Sequence, residues 1–471
     1  MGVVKETEVL VIGGGPGGYA AAFRAADLGV EVTMISAEPR PGGECLFRGC
    51  IPSKTLLSLT ELMHEADLAG SMGVDFGKPR IDLEALRAWK GKVTDKLADG
   101  LVRLSKKRGV RIVHARAVLE GSDRVRLLDS EISHLKFNHA ILATGSQSIP
   151  LAGMEFKPGG LIVDSAGALE LVCIPETLLV IGGGYVGLEL GSVYAALGSR
   201  VSVLVRSDRL LRGADIDLVT RLQRRLVEMF EAIHFNATIK SLEAREKKVD
   251  VVLDGEVDHP EQVFDQVLIA IGRRPNTENL GLETTKVTIN EQGFVIVDEQ
   301  RRTADDRIFA VGDLVGHPML AHKAMFEGRV AAEAIAGKAS VFDPQAIPAV
   351  VYTDPQLAWC GLTEEQANEQ GRSVRVTRFP WKFSGRAITM DAPEGLTKMI
   401  IDSDSGRVLG VGIVGRDAEG LITEGVLAIE MGAMAEDVAL TIHPHPTLAE
   451  TAGEAAELFL GSATHILSQS E

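Results

Sequence analysis

Cys45 and Cys50 stand five positions apart in the run Gly42-Gly43-Glu44-Cys45-Leu46-Phe47-Arg48-Gly49-Cys50-Ile51-Pro52-Ser53-Lys54. Two thiols this close invite a reversible disulfide. A position near a helix start favours the thiolate, the form that exchanges. A loop this short stabilises a fold little by closure, so the spacing suits redox turnover better than structural bracing. The competing reading is two unrelated buried cysteines. Redox turnover further requires an electron carrier and a proton acceptor. The second chemical stretch, His443-Pro444-His445-Pro446-Thr447-Leu448-Ala449-Glu450, offers the latter. Prolines restrain both histidines, and Glu450 follows His445 closely enough to orient its ring as a general acid-base pair. Surface histidines in a loop are the alternative. No third ligand has metal-site spacing, so no metal is expected.

The elements around these residues speak for an electron carrier. The run Val9-Leu10-Val11-Ile12 meets Gly13-Gly14-Gly15-Pro16-Gly17-Gly18 and then Tyr19-Ala20-Ala21-Ala22-Phe23. Gly13, Gly15 and Gly18 thus hold the GxGxxG spacing between a strand and a helix, where a tight turn lets backbone amides approach a pyrophosphate. The next strand, Glu31 to Ile35, lacks the usual terminal acid for a ribose hydroxyl. Ser36 holds that position and Glu38 follows, and either could serve. A second unit runs from Leu178-Leu179-Val180-Ile181 through Gly182, Gly184 and Gly187, with Tyr185 inside the motif. Two fingerprints mean two dinucleotides. At the end of the second unit's Arg200–Val205 strand stands Val205, followed by Arg206, with Arg209 and Arg212 nearby. An acid there would favour NAD, whereas arginine pairs with a 2′-phosphate, so these residues lean to NADP. Solvated surface arginines beside an NAD site are the alternative.

Buried-strand patterns also close on Ala143-Thr144-Gly145, on Ile271-Gly272 and on Val311-Gly312-Asp313, the last offering a carboxylate at a backbone turn. Helical spacing marks 57–63, 83–107 and 420–434, and a capping-like helix start lies at 361–365. Composition shifts near Phe342, where a third domain begins. The 471 residues suit about three domains of soluble α/β type, with 50 glycines and 45% hydrophobic residues. With 49 basic against 65 acidic residues the net charge is −16, which argues against nucleic acid and anionic membrane surfaces as partners. Neither an export signal nor a membrane-spanning apolar run is visible, so a reducing cytoplasm is the expected home.

Together the two fingerprints, Cys45 through Lys54, Thr144-Gly145, Gly312-Asp313 and the His443–Glu450 ending resemble the flavin-dependent pyridine nucleotide-disulfide oxidoreductases, and among their branches dihydrolipoamide dehydrogenases most. The resemblance implies an α/β fold with two Rossmann-like dinucleotide-binding domains and a C-terminal α+β interface domain. The FAD domain would comprise 1–150 and 272–345, the NAD(P) domain 151–271 and the interface domain 346–471. It also implies a homodimer with shared active sites and a lipoyl-bearing carrier protein as partner. Cys45 would exchange with substrate sulfur, Cys50 would lie against the flavin, and His445 with Glu450 would reach over from the second subunit. Lys54 and Glu189 match a pair placed near the flavin. Electrons would pass from dihydrolipoamide to the disulfide, to FAD and to the nicotinamide. The chain departs from the pattern at Glu44, Phe47 and Arg48, which put a charge pair beside the cysteines. Tyr185, Arg206 and Arg212 match the glutathione reductase branch, making an NADPH-dependent reductase of a small disulfide the nearest rival. A dinucleotide-binding scaffold without disulfide turnover is the reading from another class.

Overall fold

The computed structural model describes residues 3–467; the termini that the boundaries 1–150 and 346–471 include at residues 1–2 and 468–471 lie outside them. The α/β class follows from how apolar runs are used. Val9, Leu10 and Val11 are fully buried, and the Val3–Ile12 strand that carries them lies inside a sheet covered on both faces. Continuous β-branched runs of this kind suit a parallel strand.

Val3–Ile12 pairs in parallel with Val32–Ser36 on one side and with Ile132–Leu142 on the other, in registers Val9↔Val32 and Leu10↔Ala140. Arg111–His114 extends the first edge, and Ile308–Ala310 returns from far along the chain to pair with Ile132–Leu142. Arg124–Leu128 and Arg116–Leu119 complete this sheet of seven strands in antiparallel fashion. A second sheet, all parallel, sets Thr177–Ile181 at the centre of five strands, between Arg200–Leu204 and Gln266–Ile269. Each central strand feeds a glycine turn and then a helix, Pro16–Asp27 in the first sheet and Tyr185–Leu197 in the second.

A third large sheet is wholly antiparallel. Its five strands run in the order Ala349–Val351, Gln356–Gly361, Val408–Gly415, Leu396–Asp402 and Val374–Pro380. Helices Ala418–Met431 and Glu450–Leu460 pack on it around Trp381, Phe379 and Ile413. The capped start expected at 361–365 is present. Thr363 caps Glu364–Glu369 and exchanges hydrogen bonds with Gln366. The helix expected over 420–434 instead ends at Met431, because Gly432 turns left-handed at φ 65°, and a separate short helix begins at Ala435. The antiparallel trio Ala237–Ala244, Val249–Gly255 and Glu261–Phe264 has polar, mostly exposed outer positions, so its pattern was faint in the sequence.

Candidate active site

A cavity of about 840 Å³ runs through the junction of the two parallel-sheet units. Its lining includes Gly13, Gly14, Gly15, Ser36 and Glu38 from the first unit's turn and strand end, and Cys45, Cys50, Lys54, Tyr185 and Glu189 from the helices around the disulfide and the second turn. Thr144, Gly145, Gly312 and Asp313 line it too.

The wall at Gly15 shows what the cavity fits. Gly15 caps the Pro16–Asp27 helix without a side-chain hydrogen bond, and Pro16 occupies its first turn, so the free amides there face the cavity as an anion site. A Cβ on Gly14 would come within 2.8 Å of Ser36 Oγ, and one on Gly43 within 2.6 Å of Gly15 Cα. The turn and the cysteine-bearing helix are thus pressed together at bare backbone, leaving a slot for a pyrophosphate. Gly18 does not line the slot; a Cβ there would overlap the Gly13 carbonyl oxygen, so its place is helix-to-strand packing. Ser36 and Glu38 divide the roles left open. Ser36 is buried and its Oγ accepts the Glu38 amide at 3.2 Å, while the Glu38 carboxylate reaches the cavity wall. These residues fit a dinucleotide such as FAD, whose pyrophosphate the bare glycine turn could accept and whose ribose hydroxyls a nearby carboxylate could accept from.

Cys45 lies in the helix Gly43–Arg48 and Cys50 opens the helix Cys50–Leu68, and the two are joined as a disulfide. One turn on, Lys54 Nζ donates to Glu189 Oε2 at 2.8 Å. That ion pair crosses between the units, because Glu189 sits in the helix of the second glycine turn with its side chain 4% exposed. Sequence reasoning missed the third member. Tyr352, from the antiparallel unit, donates its amide to Glu189 Oε1 at 3.1 Å and lays its ring 4.3 Å from Lys54 Nζ. The sequence shows only an alternating strand there. Arg273 and Ser146 were missed too. Arg273 donates to Ser146 Oγ at 2.7 Å and to its carbonyl at 2.8 Å, and Ser146 donates to Asp313. Glu327 is fully buried and accepts the Gly312 amide at 2.7 Å, balanced by Arg301 and Lys323 at 3.1 Å each.

Gly182, Gly184, Gly187, Arg206, Arg212 and Gly272 lie outside this cavity's lining. Gly184 caps the Tyr185–Leu197 helix without a side-chain bond and has no atom within 4 Å of a notional Cβ, so that turn opens outward. Val205 is buried against the turn, 2.9 Å from a notional Gly183 Cβ, which leaves Arg206 as the exposed residue at the strand's end. Arg209 is engaged by Glu365 at 2.7 Å and Arg212 lies 3.9 Å from Asp208, whereas Arg206 makes no ion pair among the described residues.

His445 and Glu450 also stand outside their own chain's cavity. Their side chains meet at 2.8 Å, with the histidine ring 72% exposed. Burial pushes the Glu450 carboxyl up, and the Thr447 amide with His445 outweighs it, holding the group below its ordinary value. Behind the loop, His443 Nε2 meets Glu424 Oε1 at 2.8 Å, and that hydrogen bond raises the His443 pKa against the opposing effect of burial. Leu427, Met431, Leu440 and Ile442 form exposed apolar surface near this segment.

Residues 7–328 match the pyridine nucleotide-disulphide oxidoreductase family and residues 347–456 match its dimerisation domain. The chain is 44% identical over 463 residues to a dihydrolipoyl dehydrogenase of Vibrio parahaemolyticus, covering 98% of this chain and 97% of that one. The Haemophilus influenzae dihydrolipoyl dehydrogenase is 43% identical, with 98% and 96% covered. Among solved structures, the HOCl-induced flavoprotein disulfide reductase RclA from Escherichia coli superposes with a TM-score of 0.85 at 26% identity, covering 96% of this chain and 99% of that one. LpdA from Mycobacterium tuberculosis superposes at 0.88 and 26%, with 96% and 99% covered.

Proposed function

The chain belongs to the pyridine nucleotide-disulphide oxidoreductase family, and we propose that within it this enzyme oxidises dihydrolipoamide on a lipoyl-bearing carrier protein and passes the electrons to a pyridine nucleotide. One observation carries the reading: a single cavity joins an anion-binding glycine turn to a disulfide and to the Lys54–Glu189 pair. The relatives' shared name adds the substrate class.

A substrate thiolate attacks Cys45 Sγ, the Cys45–Cys50 bond breaks, and Cys50 leaves as thiolate. The second substrate thiol then closes on the first sulfur and expels Cys45, releasing the cyclic disulfide and leaving a reduced cysteine pair. His445, oriented by Glu450, takes the thiol protons. FAD, when bound, supplies the two-electron transfer between the cysteine pair and NAD(P)+. Gly13, Gly15, Glu38, Thr144, Gly145, Gly312 and Asp313 hold it, and Lys54 with Glu189 keeps the two dinucleotide units in register. Because His445 stands clear of its own cavity, it serves the cavity of a second subunit, and the dimerisation domain and the apolar surface near it support a homodimer.

The nucleotide is NADP on the strength of Arg206, the unengaged cation at the strand end where Val205 stands in place of an acid. Arg206 and Tyr185 also favour a second reading, NADPH-dependent reduction of a small disulfide. Turnover of dihydrolipoamide with NAD+ and with NADP+, set against oxidised glutathione with NADPH, tests both. Dihydrolipoamide oxidation faster than glutathione reduction is expected. Glutathione reduction without dihydrolipoamide activity overturns the first reading.

A further inference from the structure

Arg48 stands between the two cysteines at the end of the Gly43–Arg48 helix, yet its charge is directed at neither sulfur. Its guanidinium reaches Glu38 Oε1 at 2.6 Å, with a second and longer contact to Glu44 Oε2 at 3.3 Å. Glu44 has another partner in Arg273, 3.4 Å away, so Arg48 is not its sole counterion. Glu38 is placed differently. Arg40, two residues on in sequence, turns away to Asp95 and Asp99 at 2.5 and 3.0 Å, and no other cation pairs with Glu38 among the described residues. Arg48, Glu38 and Ser36 all line the cavity wall.

The ordinary place for a ribose-binding acid is the last residue of the strand, which fixes the carboxylate by backbone geometry. Here that residue is Ser36, and the acid lies two residues further along a turn, on a side chain 30% exposed. A carboxylate on a turn keeps rotamers that point to water, and holding it costs entropy unless a partner fixes it. Arginine's planar fork provides such a partner and leaves the carboxylate's remaining lone pairs free to accept from hydroxyls.

We propose that Arg48 is a positioning residue for the dinucleotide of the first unit: it holds Glu38 toward the adenosine ribose, so that the loop between the redox cysteines takes part in retaining FAD. This rests on the reading of the cavity as the FAD site. The displaced acid and the arginine form one device, since neither does the work of a strand-end acid alone.

The test is FAD release, followed from holoenzyme by the rise of free-flavin fluorescence after dilution, at low and high salt. Wild-type FAD content is read first and checks the cavity assignment separately; dihydrolipoamide turnover plays no part in this readout. Arg48→Met is expected to speed release about fivefold at low salt, a charged hydrogen bond discounted for its partial exposure. Arg48→Lys restores most of the retention. Glu38→Gln speeds release to a similar degree, and adding Arg48→Met to Glu38→Gln changes it little further. Glu44→Gln stays within about twofold of wild type, and high salt narrows the gap between wild type and Arg48→Met. Unchanged release in Arg48→Met, or effects of Arg48→Met and Glu38→Gln that multiply, overturns the proposal. Equal melting temperatures of the apoproteins separate lost positioning from damaged folding.

Discussion

The turns at Gly13 and at Gly182 are built alike and covered differently. In both, the first glycine takes a left-handed φ, 118° and 124°, and an added Cβ would overlap a carbonyl oxygen, of Ala143 in one case and Ala270 in the other. In both, the second glycine packs on the strand-end residue, Ser36 or Val205. The outer sides differ. Gly15 faces Gly43 of the cysteine helix and a cavity, whereas Gly184 faces nothing within 4 Å. One backbone device therefore gives a turn covered by the cysteine helix and a turn left open, the difference that the proposed division between a retained cofactor and an exchanging nucleotide rests on. The distinction is made by what packs against the turn rather than by the turn.

The largest effect expected separates the chemistry of the enclosed site from the binding at the open one. Cys45→Ser should lower dithiol oxidation by about a thousandfold or more while FAD stays bound and the nucleotide still binds. A variant retaining turnover would remove the disulfide from the mechanism. Next in size is the contrast between the turns themselves. Gly13→Ala meets a backbone oxygen at a positive φ and should cost about 3 kcal/mol or more, seen as lost FAD and a lowered melting temperature. Gly184→Ala should leave the melting temperature nearly unchanged and raise KM for the nucleotide. Equal destabilisation by the two would break the comparison. Smaller again is Arg206→Glu, expected to raise the ratio of kcat/KM for NAD+ over NADP+ about tenfold. An unchanged ratio would remove the argument from arginine.

What could be read from the sequence follows how far apart the interacting residues lie. The glycine turns are local, because strand, turn and helix occupy one continuous stretch, and the α/β class followed from them. Cys45 with Cys50 and His445 with Glu450 are also near neighbours, and the structure brings each pair into contact. Arg48 and Glu44 stood out as a charge pair and do meet at 3.3 Å, but their other counterions, Glu38 and Arg273, did not stand out. Glu44 meets Arg273 across 229 residues, and no periodicity encodes that meeting. Arg206 and Arg212 stood out in the chain as candidate phosphate ligands, with Arg209 merely nearby. Glu365, supplied by another unit, engages Arg209, and only packing could show it. Tyr352 was hidden for the same reason, since its amide meets Glu189 at a separation of 163 residues.

The smallest effect expected tests the joint between the enclosed and open units. Lys54 belongs to the cysteine-bearing helix and Glu189 to the helix of the open turn, so their ion pair ties one site to the other. Tyr352 steadies it twice, through its amide on Glu189 and its ring beside the Lys54 ammonium. Tyr352→Leu keeps the amide and the apolar bulk but removes the ring, whose attraction for a partly screened ammonium is about 0.5–1 kcal/mol. Electron passage to the nucleotide should slow about threefold, while reduction of the disulfide by dihydrolipoamide, followed separately by rapid mixing, should hold. Tyr352→Phe keeps the ring and should behave as wild type. If Leu slows both half-reactions equally, Tyr352 supports the fold at large rather than the joint, and the two sites are coupled by something other than the Lys54–Glu189 pair.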